Sequence, residues 1–163
     1  MGTNVKISKF ACVYGAKFLT IGDNVRIDDF TIISINSESF LGDYVHLGNS
    51  VSILSTLGFE IGDFAGISPG ARIFGNSDDF TSGSLMHPTV PSKFRSVEMS
   101  RIMLGKYSQI GANSVLLPSA RLGQGAILGA LSLLKEGIDE WTIYAGSPAK
   151  KIGLRNRVTQ TPK

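Results

Sequence analysis

From Leu104 onward the apolar positions fall on every sixth residue: Leu104, Ile110, Leu116, Leu122 and Leu128. Gly105, Gly111, Gly123 and Gly129 directly follow four of these five. An amphipathic helix needs apolar residues at three- and four-residue steps, and a half-buried strand needs strict alternation. A period of six is neither. It predicts a parallel β-solenoid in which each six-residue unit forms one short flat face and one corner. The aliphatic side chain points inward, and the glycine after it lets the chain turn without a Cβ clash. One unit cannot bury its own apolar residue, so the repeat must run through several coils.

The same phase holds at Ile21, Ile27 and Ile33, at Leu41, Leu47 and Ile53, and at Ile61, Ile67 and Ile73. Two slips interrupt it, at SINSES and STLGFE; the steps across them are not multiples of six. Their Ser, Asn, Thr and Gly content predicts small bulged corners that leave the stack intact. Residues 1–20 are out of clean phase and predict an irregular first coil that caps one end. Residues 74–103 lose the period altogether, with Pro88, Pro91 and the adjacent Asp78 and Asp79. A loop this long inside a compact domain is uncommon and often functional. The solenoid resumes by Leu104 and runs to about 134. Beyond it, TIYAGSPAKKI predicts an extended strand, a Gly-Ser-Pro turn and a short basic segment. The expected organisation is one all-β domain: solenoid 1–73 and 104–134, excursion loop 74–103, and C-terminal strand and tail 135–163.

A chain of 163 residues can bury one real core, and its 19 glycines suit a turn-rich solenoid. The net charge of +3 is concentrated near the C-terminus. A basic patch can hold nucleic acid, but no aromatic residues interleave with it, and a small polyanion accounts for it equally well. Cys12 is the only cysteine, which excludes an intrachain disulfide and a cysteine zinc site; a buried, inert thiol is expected. Lys6 and Lys9 lead into no continuous apolar run, so no signal peptide is read. No window approaches the roughly 18 apolar residues of a membrane span. A cytoplasmic protein is expected.

The repeat resembles that of the left-handed β-helix acyltransferases, whose hexapeptides have the form [Leu/Ile/Val]-Gly-x-x-x-x. The mid-solenoid loop, the coils IGANSVLLPSARLGQGAILGALSLL and the ending EWTIYAGSPAKKI, which is similar to W-x-x-Y/V-x-G-x-P-A-K, extend the likeness over residues 21–155. Parallel crossovers are usually right-handed; the left hand is implied by the resemblance alone. DDFTSG resembles the DDYSG-like element of bacterial surface-polysaccharide O-acetyltransferases, with Phe80 for Tyr and an extra Thr81. His87-Pro88 resembles the loop of the galactoside and maltose acetyltransferases. The chain thus mixes two subgroup signatures. The resemblance implies an acetyltransferase that uses acetyl-CoA in surface-glycan biosynthesis, acting on a sugar hydroxyl. N-acetylation of a nucleotide-linked amino sugar is the alternative. It also implies a homotrimer with active sites between subunits.

A hydroxyl needs a base to take its proton as it attacks a thioester, and histidine titrates in the right range. The chain has only His46 and His87. His46 immediately precedes inward Leu47, so its side chain should face outward, at a coil surface where the resemblance implies that subunits meet. It is the leading candidate base. His87 in the loop is the second, and either is otherwise a surface histidine without chemical duty. Asp79 is a candidate to orient the imidazole. Asn76, Asp78 and Asp79 are candidates to hold the acceptor, against the plainer reading of a solvated Asx turn. The resemblance places pantetheine against Gly111, Ala112, Gly129 and Ala130, which are small enough for close approach but equally serve as corners. Lys135, Lys150, Lys151 and Arg155 are the candidate partners of the CoA phosphates, against a solvated basic tail. Trp141 should pack the last coil or abut the adenine. No metal is expected: a γ-class carbonic anhydrase, also a left-handed β-helix, needs three zinc histidines. A non-catalytic scaffold is the remaining rival, and it would need neither the loop nor the basic tail.

Overall fold

The computed structural model describes residues 1–162. The chain winds as a left-handed parallel β-helix with three flat faces, each a stack of very short strands. The first face stacks Lys6–Ile7, Arg26–Ile27, His46–Leu47, Gly66–Ile67, Gln109–Ile110, Ile127–Leu128 and Thr142–Ala145. The second stacks Cys12–Tyr14, Ile32–Ile35, Ser52–Ser55, Arg72–Phe74, Val115–Leu116 and Leu133–Leu134. The third stacks Leu19–Ile21, Ser39–Leu41, Phe59–Ile61, Ile102–Leu104, Arg121–Leu122 and Gly137–Ile138.

Register explains the period. Ile67 lies directly between Leu47 and Ile110, and Ile73 between Ile53 and Leu116. All six are essentially without solvent exposure. Removing each such side chain from water contributes roughly 1.5–3 kcal/mol. The residue before each of them points outward, so the faces carry the polar and functional groups.

Both slips are wide corners that keep the stack. Ile35 pairs with Ser55 and Leu19 with Ser39 across them. The buried hydroxyls find local carbonyls: Ser55 Oγ donates to Gly58 O at 2.8 Å and Ser39 Oγ to Ser37 O at 2.9 Å.

The structure departs from expectation in four places. The first coil is in register with the second, Lys6 on Arg26 and Ile7 on Ile27, and its irregularity is confined to the 3-10 turn Ala16–Phe18. The parallel stack passes residue 134, because Gly137–Ile138 pairs with Arg121–Leu122 and Thr142–Ala145 with Ile127–Leu128. Cys12 is exposed, not buried: alternation on the second face turns Val13 inward and sends Cys12 and Tyr14 out. The excursion is a built arm, in which Asn76–Asp78 pairs antiparallel with Val97–Met99.

The edge between third and first faces carries stacked rings. Tyr44, Phe64 and Tyr107 have centroids 4.8 and 5.3 Å apart. Trp141 packs the last coil as expected, reaching past Gly125 to Tyr107 at 6.1 Å. No helix among the described residues is long and apolar enough to cross a membrane.

Candidate active site

His46 faces outward from the first face, with half of its side chain exposed. The alternation that buries Leu47 requires this. Its Nε2 donates to Asp28 Oδ2 at 2.8 Å, and Arg26 Nε donates to the other oxygen of the same carboxylate at 2.6 Å. Partial burial works to raise the Asp28 pKa, but the hydrogen bonds and charges of His46 and Arg26 outweigh it and hold the carboxyl below its ordinary value. The partner of His46 is therefore Asp28, not the expected Asp79. Once a coil is known to take twenty residues here, as in the pairing of Arg26 with His46, Asp28 falls one coil from Gly48, diagonal to the histidine. A sequence without the coil length does not reveal that neighbour.

The loop has its own network. Asp78 Oδ1 accepts from Arg95 Nε at 3.0 Å and Nη2 at 2.7 Å, while its Oδ2 accepts the His87 backbone N–H at 2.9 Å. The Arg95 hydrogen bonds, followed by the His87 amide, hold the Asp78 carboxyl below its usual range. Asp79 Oδ1 accepts from the Thr81 amide and hydroxyl, which also lower its pKa; this is the Asx-turn arrangement. Asn76 Oδ1 accepts the Thr56 amide at 2.9 Å and anchors the root of the arm to the solenoid. The His87 ring meets Thr89 Oγ1 at 2.8 Å within the loop. None of these carboxylates touches either imidazole ring.

Arg95 was not foreseen; from the end of the 3-10 turn Ser92–Phe94 it ties the loop to Asp78 on the first strand of the arm. A carboxyl depressed by its native partners contributes order that is present above its ordinary pKa of about 3.9 and lost as pH falls through the depressed value. The arm should therefore stay closed at neutral pH and loosen only in strong acid. Arg95→Ala should bring that loosening to neutral pH, read as faster protease cleavage between Phe80 and Phe94 with the solenoid intact.

Under the arm lies a cleft of about 650 Å³. Asp78, Asp79 and Glu98 line it from the arm, and Ser119 and Lys135 from the edge between second and third faces. Glu98 Oε1 accepts from Ser119 Oγ at 3.1 Å.

Of the cations expected on the CoA phosphates, Lys135 and Lys150 line one pocket of about 260 Å³ at the C-terminal end, and Lys135 also borders the cleft just described. Lys150 and Lys151 are exposed on the strand Lys150–Leu154, which closes the end of the first face antiparallel to Thr142–Ala145. Arg155 has turned to the third–first edge, where Nη1 donates to Tyr107 O at 2.6 Å and Gly125 O at 3.2 Å and its guanidinium lies over Trp141. It locks the chain end onto the aromatic stack. Gly111, Ala112, Gly129 and Ala130 sit together at the edge between first and second faces. There Gly111 N–H donates to Leu128 O, Gly129 N–H to Tyr144 O and Leu131 N–H to Ala112 O.

No family model matches the chain. Among curated proteins it is 36% identical over 158 residues to the dTDP-4-amino-4,6-dideoxy-D-glucose acyltransferase of Escherichia coli, covering 96% of this chain and 82% of that one. It is 29% identical over 173 residues to the putative lipopolysaccharide biosynthesis O-acetyl transferase WbbJ of Escherichia coli, covering 96% and 83%. Among solved structures, AntD, an N-acyltransferase from Bacillus cereus in complex with dTDP and 3-hydroxybutyryl-CoA, matches with a TM-score of 0.91 at 39% identity, covering 96% of this chain and 83% of that one. The prism, its projecting arm and these relatives agree, and the chain belongs to the left-handed β-helix hexapeptide family of sugar acyltransferases, which draw their acyl group from a CoA thioester.

Proposed function

We propose that the chain acetylates the amino group of a nucleotide-linked deoxy amino sugar for surface-glycan synthesis. It does so as a homotrimer, in sites made by the arm of one copy and the first–second edge of the next. O-acetylation, the first reading of the sequence, becomes the second choice. The observation that carries this order is what the arm brings to the site: the titratable groups lining the cleft beneath it are Asp78, Asp79, Glu98 and Lys135, and the His87 ring is turned to Thr89. Asp78 and Asp79, held ionised by the groups that hydrogen-bond to them, attract and orient an amine. They supply no base matched to a hydroxyl, whereas a neutral amine attacks a thioester with little assistance.

The relatives support the same order. AntD has been crystallised with dTDP-4-amino-4,6-dideoxyglucose and CoA, in variants of one serine and, with dTDP and CoA, of one aspartate ten positions along. Ser68 and Asp78 are the only serine and aspartate of this chain in that order at that spacing. Ser68 stands at the first–second edge, between the strands Gly66–Ile67 and Arg72–Phe74; Asp78 stands on the arm, beyond the far end of the second face. One copy holds them at opposite ends of that face, which is why a neighbour is required.

The step is direct transfer. The amine nitrogen forms a bond to the thioester carbonyl carbon, and the carbonyl π pair moves to oxygen. The Ser68 hydroxyl donates to that oxyanion. The oxyanion collapses, the C–S bond breaks, and the sulfur leaves as thiolate and takes the surplus amine proton. Asp78, its charge fixed by Arg95, accepts an N–H of the attacking amine. Pantetheine runs along Gly111, Ala112, Gly129 and Ala130, with Lys150 and Lys151 toward the phosphates. Arg155 stands apart from them on the third–first edge, bonded to Tyr107 O and Gly125 O.

The test is thiol release from acetyl-CoA with two acceptors, dTDP-linked 4-amino-4,6-dideoxyglucose and the same sugar with a 4-hydroxyl. Turnover of the amine alone is expected. Faster turnover of the hydroxyl compound would overturn the N-acyl reading and restore O-acetylation.

A further inference from the structure

The two slips and the arm lie on one line. All three occupy the edge between second and third faces, in successive coils. The wide corner 36–38 lies under the wide corner 56–58, and the arm leaves the prism directly above both, between Phe74 and Ile102. The neck of the arm is narrow. Gly75 N–H donates to Leu54 O and Ser100 N–H to Gly75 O, both at 2.7 Å. A Cβ on Gly75 would collide with Ser55 Oγ and Ser100 O, so a glycine lets the neck sit this low on the corner beneath.

The wide corners present carbonyls that the coil-to-coil ladder does not use. Among the described residues, no backbone amide donates to Glu38 O or Leu57 O. Arg101, the last residue before the prism resumes at Ile102, reaches both. Its Nη1 donates to Glu38 O at 2.9 Å and to Leu57 O at 3.2 Å, and its Nη2 to Phe59 O at 3.2 Å. One guanidinium thus spans two coils, with its face over the Phe40 ring at 6.0 Å. Its three hydrogen-bond partners are main-chain carbonyls, none a carboxylate. On the other strand of the arm, Asn76 accepts the Thr56 amide. Both roots of the arm are therefore fixed to the wide corner 56–58. Packing alone does not call for the slips, because the corners at the other two edges keep the six-residue phase and stack as well.

We propose that Arg101 is a positioning residue for acyl transfer. By holding the carbonyls of the two wide corners it fixes the height and tilt of the arm, and through them the place of Asp78. The proposal rests on the assignment of Asp78 to the attacking amine. Asp78 lies three residues beyond Gly75, roughly 10 Å of extended chain. A tilt of about 6° at the neck moves its carboxylate by about 1 Å, and a misplacement of about 1 Å costs on the order of a hundredfold in rate. A guanidinium suits this duty because its donors are planar and fixed in direction. It also stays charged at every working pH, so this anchor does not titrate. The Asp78–Arg95 pair loosens in strong acid; the Arg101 anchor keeps its bonds there.

The test compares the wild-type protein with Arg101→Ala and Arg101→Lys by thiol release, each substrate varied in turn, with and without millimolar guanidinium chloride. Protease cleavage between Phe80 and Phe94 is followed in parallel. In Arg101→Ala, kcat/KM for the amino sugar should fall on the order of a hundredfold. The KM for acetyl-CoA should not move, because the pantetheine track lies on another edge. Free guanidinium should restore roughly tenfold of the loss in Arg101→Ala and change nothing in the wild type, a rescue that general destabilisation does not produce. Arg101→Lys should stay impaired, since one ammonium is too compact to hold Glu38 O and Phe59 O together. Arm cleavage should be faster in both variants. Wild-type kcat/KM in Arg101→Ala, or a loss that guanidinium leaves unchanged, would overturn the positioning role. Where Arg101→Ala fails to assemble, Arg101→Lys decides, and wild-type turnover with wild-type arm cleavage overturns it. A wild-type protein that does not turn over the amino sugar overturns the proposed function instead; arm cleavage then still reads the anchor, and an unchanged rate in both variants overturns that too.

Discussion

Ser68→Ala and Asp78→Asn should each lower kcat/KM for the amino sugar by about two orders of magnitude while leaving the KM for acetyl-CoA unchanged. The Ser68 hydroxyl is assigned to the developing oxyanion, and removing one such donor costs roughly 10²–10³ in rate. That loss should fall on kcat. Asp78 does two things at once. Its charge holds the acceptor amine, and its two oxygens bond Arg95 and the His87 amide, fixing the arm. An asparagine can satisfy Arg95 or the His87 N–H through its carbonyl, but its NH2 then faces a second donor. The loss should therefore appear in the KM for the sugar as well as in kcat, and protease cleavage in the arm should rise in this variant and not in Ser68→Ala. Steady-state thiol release with each substrate varied in turn separates the two patterns.

Ile67→Ala should cost about 2–5 kcal/mol of unfolding free energy, measured by urea titration. Ile67 is 1% exposed and stacks between Leu47 and Ile110. A stacked solenoid depends on nearest-neighbour interfaces, so a cavity in the central coil weakens the joint between both halves. Ile7 holds the equivalent place in the first coil, with one neighbour at Ile27 and 44% of its surface exposed. Ile7→Ala should cost less than half as much. Equal losses would mean that the coils do not act as a stack.

The inward residues were legible because a period of six has one structural meaning, and every aliphatic residue on that phase from Ile21 to Leu128 is in the core. The slips were legible for the same reason, since turn residues at a broken phase mark a corner. Cys12 was misplaced because the first coil lacks a clean phase, and only the pairing of Val13 with Ile33 reveals which side faces inward. The hairpin arm escaped notice because Asn76–Asp78 is built of turn-forming residues and becomes a strand only through partners twenty positions away. The same limit applies to the site. His46 was correctly placed on an outer face, but its partner Asp28 lies across a coil boundary. Of the basic cluster in sequence, Lys135 and Lys150 share one pocket, while the turn at Gly146–Pro148 reverses the chain and carries Arg155 back to another edge.

Acyl transfer here requires a site shared between copies, and mixing two inactive chains tests that most directly. Ser68→Ala and Asp78→Asn proteins, coexpressed in equal amounts and purified as mixed assemblies, should regain activity toward about a quarter of the wild-type value. With random assortment, one site in four pairs an intact Ser68 with a neighbour's intact Asp78. Activity no higher than that of the two single variants would contradict the shared site, and with it the placement of acyl transfer between the arm and the neighbouring edge.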